Sequence, residues 1–408
     1  MTIGSFQRNL HLNYVYMFLL SLRFDAAFWV IFLRSRGFSF AAIGLLETVF
    51  HLSSFISEVP TGFLADRLGR KASLAFGSLA GALSAALMLL VRNELVIAVA
   101  FCFSALSYTF PSGAHDALVY DTCLGHQKER DFTRIAGNLN AIWLAGASVA
   151  ALAGGWVAEL ALGWLYVLNI LMNLTAVIVI WFIQEAREDG TPADGGGEVR
   201  LAQKPGMGGV IRSLRENPEM LRLFLLFGFL SAAETTAVLY GQAYLRAAGI
   251  PLPVIGGVFM AQNLFAILPT KMAFLAEKRV GFRSCLLGGG LVISLMIALL
   301  GALPRQNGPA LQIVAVAIFL FLDGAREMLN PIFSNEINLR IHSTERATLL
   351  SFGSMVFSMM MMVLFPLVGI AGDRAGLGPA YLFLGVTTLA VIPIFSPSLR
   401  RRKWAPWR

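Results

Sequence analysis

The stretch that decides the fold is EVPTGFLADRLGRKAS, residues 58–73. One long apolar segment ends here and another begins. Gly62 and Gly69 permit close backbone approach and a tight turn. Asp66 can cap a helix end or pair with a neighbouring cation. Arg67, Arg70 and Lys71 hold the junction on the cytoplasmic side of a bilayer, because positive loops stay inside.

The rest of the chain fits that bilayer. Hydrophobic residues make up 57% of the 408 and charged residues 14%, and mean hydropathy is +0.69. A soluble domain carries about 25% charged residues. A spanning helix needs about 20 apolar residues. Such segments run over 11–33, 40–63, 72–91, 95–121, 135–159, 163–184, 219–246, 253–275, 284–303, 310–333, 347–371 and 379–397. The first is too long and too charged for a cleaved signal peptide. Of the 32 Lys and Arg, Arg34, Arg36, Arg92, Arg246, Arg305 and Arg374 fall in outer loops, and Arg23, Arg222, Lys271 and Arg326 fall within spans. The remaining 22 lie in inner loops and termini. The expected architecture is therefore an all-α membrane protein. Its twelve transmembrane helices form two pseudo-symmetric six-helix bundles, with both termini cytoplasmic. The net charge of +8, including RRRK at 400–403, reads as anchorage at the anionic leaflet rather than nucleic-acid binding.

Residues 185–218 are rich in Gly, Pro and charge and read as a cytoplasmic linker. They separate a first bundle at 1–184 from a second at 219–408. IRSLREN at 211–217 has the pattern of a short surface helix. The halves echo each other. Leu64-Ala65-Asp66-Arg67 returns as Leu275-Ala276-Glu277-Lys278, each followed by a Gly (Gly69, Gly281) and an Arg (Arg70, Arg283). Glu129-Arg130 returns as Glu345-Arg346 at a similar offset. Parallel repeats with a binding site between them are a transporter architecture.

GFLADRLGRK resembles motif A of the major facilitator superfamily, the signature between helices 2 and 3. The resemblance implies secondary transport by alternating access, and it implies a latch in which Arg70 pairs with an acid at the inner end of helix 4. Asp121 in LVYDTCL is the expected partner. Helix 4, AFCFSALSYTFPSGAHDALVYD, lacks the mid-helix Arg of many proton-coupled members and carries Pro111, Gly113, His115, Asp116 and Tyr120 instead. Helix 5 resembles the exporters' motif C. Gly137, Gly146, Gly154 and Gly155 keep its spacing, while Ala150-Ala151 replaces its Gly-Pro. Small residues on one stripe let helices approach closely whatever the function.

Ionisable groups inside spans are costly unless paired or hydrated, so each is a candidate. Helix 1 carries Arg23 and Asp25. They stand about 200° apart on a helix, so on a continuous helix they cannot share a face. Helix 2 carries Glu47, His51 and Glu58. Asp116 lies on helix 4, Glu234 on helix 7 and Lys271 on helix 8. Helix 10 carries Asp323, Arg326 and Glu327. Asp323 faces Arg326 and Glu327 at i+3 and i+4, and two readings fit: Arg326 neutralises the two acids, or a carboxylate in a low-dielectric cavity exchanges a proton for substrate. Glu234 has no charged neighbour within a turn and is the first candidate for coupling. Drug–proton antiporters of this superfamily often place essential acids on helices 7 and 10, which Glu234 and Asp323 resemble. His51 suits either packing or a proton relay.

Cys102, Cys123 and Cys285 are dispersed, as are the five histidines, so no metal or haem centre is expected. No nucleophile–base pair or GxxxxGK[ST] sequence suggests an enzyme or a nucleotide drive. No cofactor is expected. The expected function is proton-coupled export of small amphipathic molecules or metabolites by a monomer in the cell inner membrane. Its partners are substrate, protons and lipid. The alternative is a symporter importing an anionic or siderophore-like solute, bound by Arg23, Lys271 and Arg326.

Overall fold

Where the helices of this chain stop is as informative as where they run. The computed structural model describes residues 3–185, 217–304, 308–340 and 346–395. The helices are α1 (Ile3–Ser21), α2 (Trp29–Ser35), α3 (Phe40–Leu68), α4 (Arg70–Leu90), α5 (Glu94–Thr109), α6 (Ala114–Leu124), α7 (Phe132–Leu160) and α8 (Gly163–Phe182). They continue as α9 (Pro218–Ala247), α10 (Leu252–Phe265), α11 (Ile267–Ala302), α12 (Pro309–Arg340), α13 (Arg346–Ala375) and α14 (Leu377–Phe395). No strand occurs among the described residues. In hydrocarbon a helix satisfies its own backbone, which is why an apolar chain adopts this one element.

Ten helical stretches are long and apolar enough to cross a membrane, with Glu94–Leu124 and Leu252–Ala302 each counted as one. The protein is a multi-pass membrane protein. The count differs from the expected twelve at two places. Segment 11–33 is divided between α1 and the short α2, and segments 253–275 and 284–303 fall in the single stretch Leu252–Ala302. Most of the expected linker (186–216), Arg305, His342, Glu345 and the basic run at 400–403 lie outside the described residues.

The chain forms two units. One comprises Met1–Gly195 with Gly249–Leu264, and the other Gly196–Ala248 with Phe265–Arg408. In the first, α4 packs on α5 and α8, and α1 packs on α6, α7 and α8. Tyr16, Leu74, Ala114, Leu118 and Ala176 close one of its cores. In the second, α11 packs on α12 and α14, and α9 on α13, α14 and α12. Its core joins Leu223, Phe224, Leu226, Leu286 and Phe333, with Phe224 edge-on to both Phe333 and Phe352.

The segment 249–264, expected within 219–408, packs with the first unit. A Cβ on Gly155 would meet the Leu252 carbonyl at 2.8 Å, and Gly256 lies against the Ala151 carbonyl with no room for one. Glycines on both helices bring backbone against backbone.

The internal repeat is visible in the backbone. Gly69, between α3 and α4, has φ 92° and ψ 156°. Gly281, inside α11, has φ 81° and ψ 158°. This left-handed region favours glycine, so the same turn recurs where the sequence motif has decayed.

Arg36 departs from the positive-inside pattern and has a local explanation. Its Nη1 donates to the carbonyls of Met88 (2.6 Å) and Val91 (2.7 Å), and its Nη2 to that of Leu89 (2.6 Å). A cation thus occupies the C-terminal end of α4, where carbonyls lack helical partners. Arg36→Ala is expected to lower stability by about 1–3 kcal/mol, read as a lower unfolding midpoint in detergent; an unchanged midpoint would exclude a capping role.

Candidate functional site

The second unit gathers four of the expected residues into one cluster. Glu234, in the middle of α9, is 1% exposed. Arg326 Nε on α12 lies 2.9 Å from Glu234 Oε2. The N–H points off the carboxylate, so no hydrogen bond of normal geometry forms and the attraction is Coulombic. Arg326 Nη2 lies 3.6 Å from Asp323 Oδ1 and also pairs with Glu327. Thr235 Oγ1 donates to Glu234 Oε2 at 3.2 Å. One guanidinium therefore serves three carboxylates, two of them from its own helix. Sequence spacing predicts the helix 10 neighbours; the reach of Arg326 to Glu234 depends on the packing of α9 against α12.

Close packing sustains this arrangement. A Cβ on Gly324, beside Asp323, would meet the Phe265 ring at 2.9 Å. Thr270 Oγ1 contacts the Glu327 carbonyl at 3.3 Å, which brings α11 to the cluster. Lys271, the next residue, is exposed and stands apart from the three acids' ion pairs.

In the first unit, Arg23 and Asp25 do share a site, contrary to the expectation for a continuous helix. Residues 22–28 are not α-helical, and Arg23 Nε lies 3.9 Å from Asp25 Oδ1. The break is held by α8, where Asn169 Oδ1 accepts the Phe24 N–H at 3.0 Å. It is held also by α7, where a Cβ on Gly154 would meet the Phe24 carbonyl at 2.8 Å. His51 Nε2 lies 3.5 Å from Glu47 Oε1, both largely buried. Asp116 is exposed in the first turn of α6.

The motif A turn is tied both within itself and to residues at the end of α8. Arg70 Nη2 lies 3.9 Å from Asp66 Oδ1. Glu185 Oε1 accepts the Arg70 backbone N–H at 2.6 Å, an anion at the N-terminus of α4. Lys71 Nζ donates to the Trp181 carbonyl at 2.6 Å. Arg67 stacks over the Phe63 ring, 4.2 Å from its centroid. Glu185 escaped the sequence reading because its composition merges with the charged linker that follows. Gly62, expected to allow close approach, has no described atom within 4 Å of a Cβ there. Of the helix 5 glycines, Gly146 packs on Ser21 and Phe18, Gly154 on the helix 1 break and Gly155 on α10, whereas no described atom lies within 4 Å of a Cβ on Gly137. No group of three or more metal-ligating residues occurs among the described residues.

The chain has recognisable relatives. The family model described as Major Facilitator Superfamily matches residues 13–335. The chain is 23% identical over 387 residues to the quinolone resistance protein NorA of Staphylococcus aureus, covering 91% of this chain and 92% of NorA. It is 22% identical over 375 residues to the uncharacterized MFS-type transporter YxaM of Bacillus subtilis, covering 90% of this chain and 89% of YxaM. The crystal structure of the nucleoside transporter NupG superimposes with a TM-score of 0.80 at 13% identity, over 98% of this chain and all of NupG.

Replacing the anion at the α4 N-terminus has a local signature. Glu185→Ala is expected to destabilise the first turn of α4 by about 0.5–2 kcal/mol. Faster amide hydrogen exchange at residues 70–73, with the rest of α4 unchanged, is the expected outcome; unchanged exchange there would show that the carboxylate contributes nothing.

Proposed function

Because the chain belongs to the Major Facilitator Superfamily, we propose that it is a proton-coupled exporter of small amphipathic molecules, working by alternating access. In this reading twelve spans form two six-helix bundles with both termini cytoplasmic, in the cell inner membrane, and the protein acts as a monomer. The observation that carries the reading is the cluster of Glu234, Asp323 and Glu327 around Arg326. A single cation balances one of three carboxylates. Unbalanced charge at membrane depth is costly, so the remainder is offset by protons or by a positively charged group of the substrate. Protons and a cationic group compete for the same carboxylates, and such competition is what exchange transport requires. Glu234, reached through Arg326 rather than through its own helix, is the proposed coupling residue. Asp25, Asp116, Arg23, Lys271 and His51 are proposed to act in the first unit and along the pathway. The resistance phenotype in the name of NorA favours export of drug-like molecules over import.

Motif A is proposed as the gate, through Gly62, Asp66, Arg67, Gly69, Arg70 and Lys71. Arg70 alternates between Asp66 and Asp121 as the gate opens and closes, a two-state element of the kind that switching needs. Helix 5, through Gly137, Gly146, Gly154 and Gly155, forms the packing face of the exporter motif.

Reconstitution in proteoliposomes with an imposed pH gradient tests the coupling. Proton-driven counterflow of lipophilic cations is expected in the wild type and lost in Glu234→Gln. Coupled flux that survives the substitution removes Glu234 from the mechanism, and uptake stimulated by protons moving in the same direction turns the reading to symport. For the latch, Arg70→Ala and Asp121→Asn are expected to give similar losses of transport with a coupling energy of about 0.5–3 kcal/mol. Strictly additive losses would separate the two residues.

A further inference from the structure

The first unit contains buried polar atoms that the transport reading does not use. Along one face of α1 stand Asn9, Asn13 and Tyr16, spaced so that they lie above one another. The lower rung is fully bonded. Asn9 Nδ2 donates to Thr122 Oγ1 (3.3 Å) on α6 and to the Gln184 carbonyl (2.7 Å), while Asn9 Oδ1 accepts the Gln184 N–H at 2.8 Å. The rungs above it are not. Asn13 Oδ1, the Tyr16 hydroxyl, Ser78 Oγ on α4, and both ring nitrogens of His115 on α6 have no hydrogen-bond partner among the described residues. Asn13 is 1% exposed, Tyr16 and Ser78 0%, and His115 4%.

These atoms belong together. The Tyr16 and His115 rings lie 5.5 Å apart between centroids at an interplanar angle of 39°. Ser78 is the polar neighbour of the Tyr16 hydroxyl, yet the two hydroxyls do not meet at hydrogen-bond geometry. The wall around them is apolar: Leu74, Ala114, Leu118 and Ala176. Buried polar groups in native proteins are bonded to protein or to ordered water, and a buried water typically makes about 3 hydrogen bonds. Hydroxyls both donate and accept, a neutral imidazole does one at each nitrogen, and an amide oxygen accepts. That mixture suits water. No group of three or more metal-ligating residues lies there among the described residues.

We propose that the first unit holds internal water in the seam between α1, α4 and α6, bridging the Tyr16 hydroxyl, Ser78 Oγ and the His115 ring, with the Asn9–Thr122–Gln184 rung closing the seam at one end. The water joins three helices at the point where helix 4 is interrupted by residues 110–113, and it supplies a solvated partner for His115 inside an apolar core. The inference stands apart from transport direction, substrate and the Glu234 cluster.

Hydroxyl-radical footprinting of the full chain in lipid nanodiscs tests it, because radicals made from bound water mark the side chains beside it. Tyr381 is the control: it is 0% exposed and its hydroxyl is bonded to the Ala237 carbonyl at 2.8 Å. Tyr16 and His115 are expected to be labelled at least several-fold faster than Tyr381, with delayed incorporation of oxygen from newly mixed ¹⁸O water. Ser78→Val, which removes one bridge partner, is expected to slow labelling of both. Labelling of Tyr16 and His115 no faster than that of Tyr381 would overturn the proposal, as would rates indifferent to Ser78→Val in a variant that retains the wild-type unfolding midpoint.

Discussion

Hydrocarbon offers a broken helix nothing to bond to, and that constraint organises this molecule. Each interruption within an apolar stretch needs a partner from elsewhere in the same unit. Asn169 supplies an acceptor to the break in helix 1. Ser73 Oγ donates to the Phe110 carbonyl where helix 4 is interrupted. Glu185 and Arg36 serve opposite ends of α4. Several of the polar side chains that tie the helices together therefore act at irregular segments. The apolar faces between them pack by shape and carry little specific information.

The same constraint explains the Arg326 cluster. A lone carboxylate at the position of Glu234 would be expensive, and so would a lone guanidinium. Bringing α9 and α12 together lets one charge offset another, but the numbers of acids and bases are unequal. A balanced pair would be a structural tie. An unequal set leaves negative charge for an arriving cation or proton to offset, as the proposed coupling requires. The first unit is different: Arg23 meets Asp25 one to one, and Glu47 meets His51.

Much of this was legible in the residues. Apolar segments separated by charged turns announced the helices, and the turn at 58–73 announced the family. Charged neighbours at i+3 and i+4 on helix 10 follow from helical geometry alone. What stayed hidden involved distance along the chain. Arg326 reaching Glu234 depends on the facing of two helices, which no local pattern encodes. The Arg23–Asp25 contact depends on a helix break, and the residues that hold that break, Asn169 and Gly154, lie far away in sequence. Glu185 was concealed by its neighbours, since a charged run reads as solvent-exposed linker. Gly62 reads as a close-approach glycine by its motif, and no described atom lies within 4 Å of a Cβ there. The decayed repeat shows the converse: Gly281 keeps the backbone of Gly69 although the charges around it have changed.

The placement of residues 249–264 with the first unit changes what connects the halves. The chain passes from one unit to the other near Gly196, again between Ala248 and Gly249, and a third time between Leu264 and Phe265. Cutting the linker would sever only the first of these passages. The two passages on either side of residues 249–264 would remain covalent. Residues 249–264 thus follow the linker in sequence yet pack in the first unit, where Gly256 lies against the Ala151 carbonyl of α7.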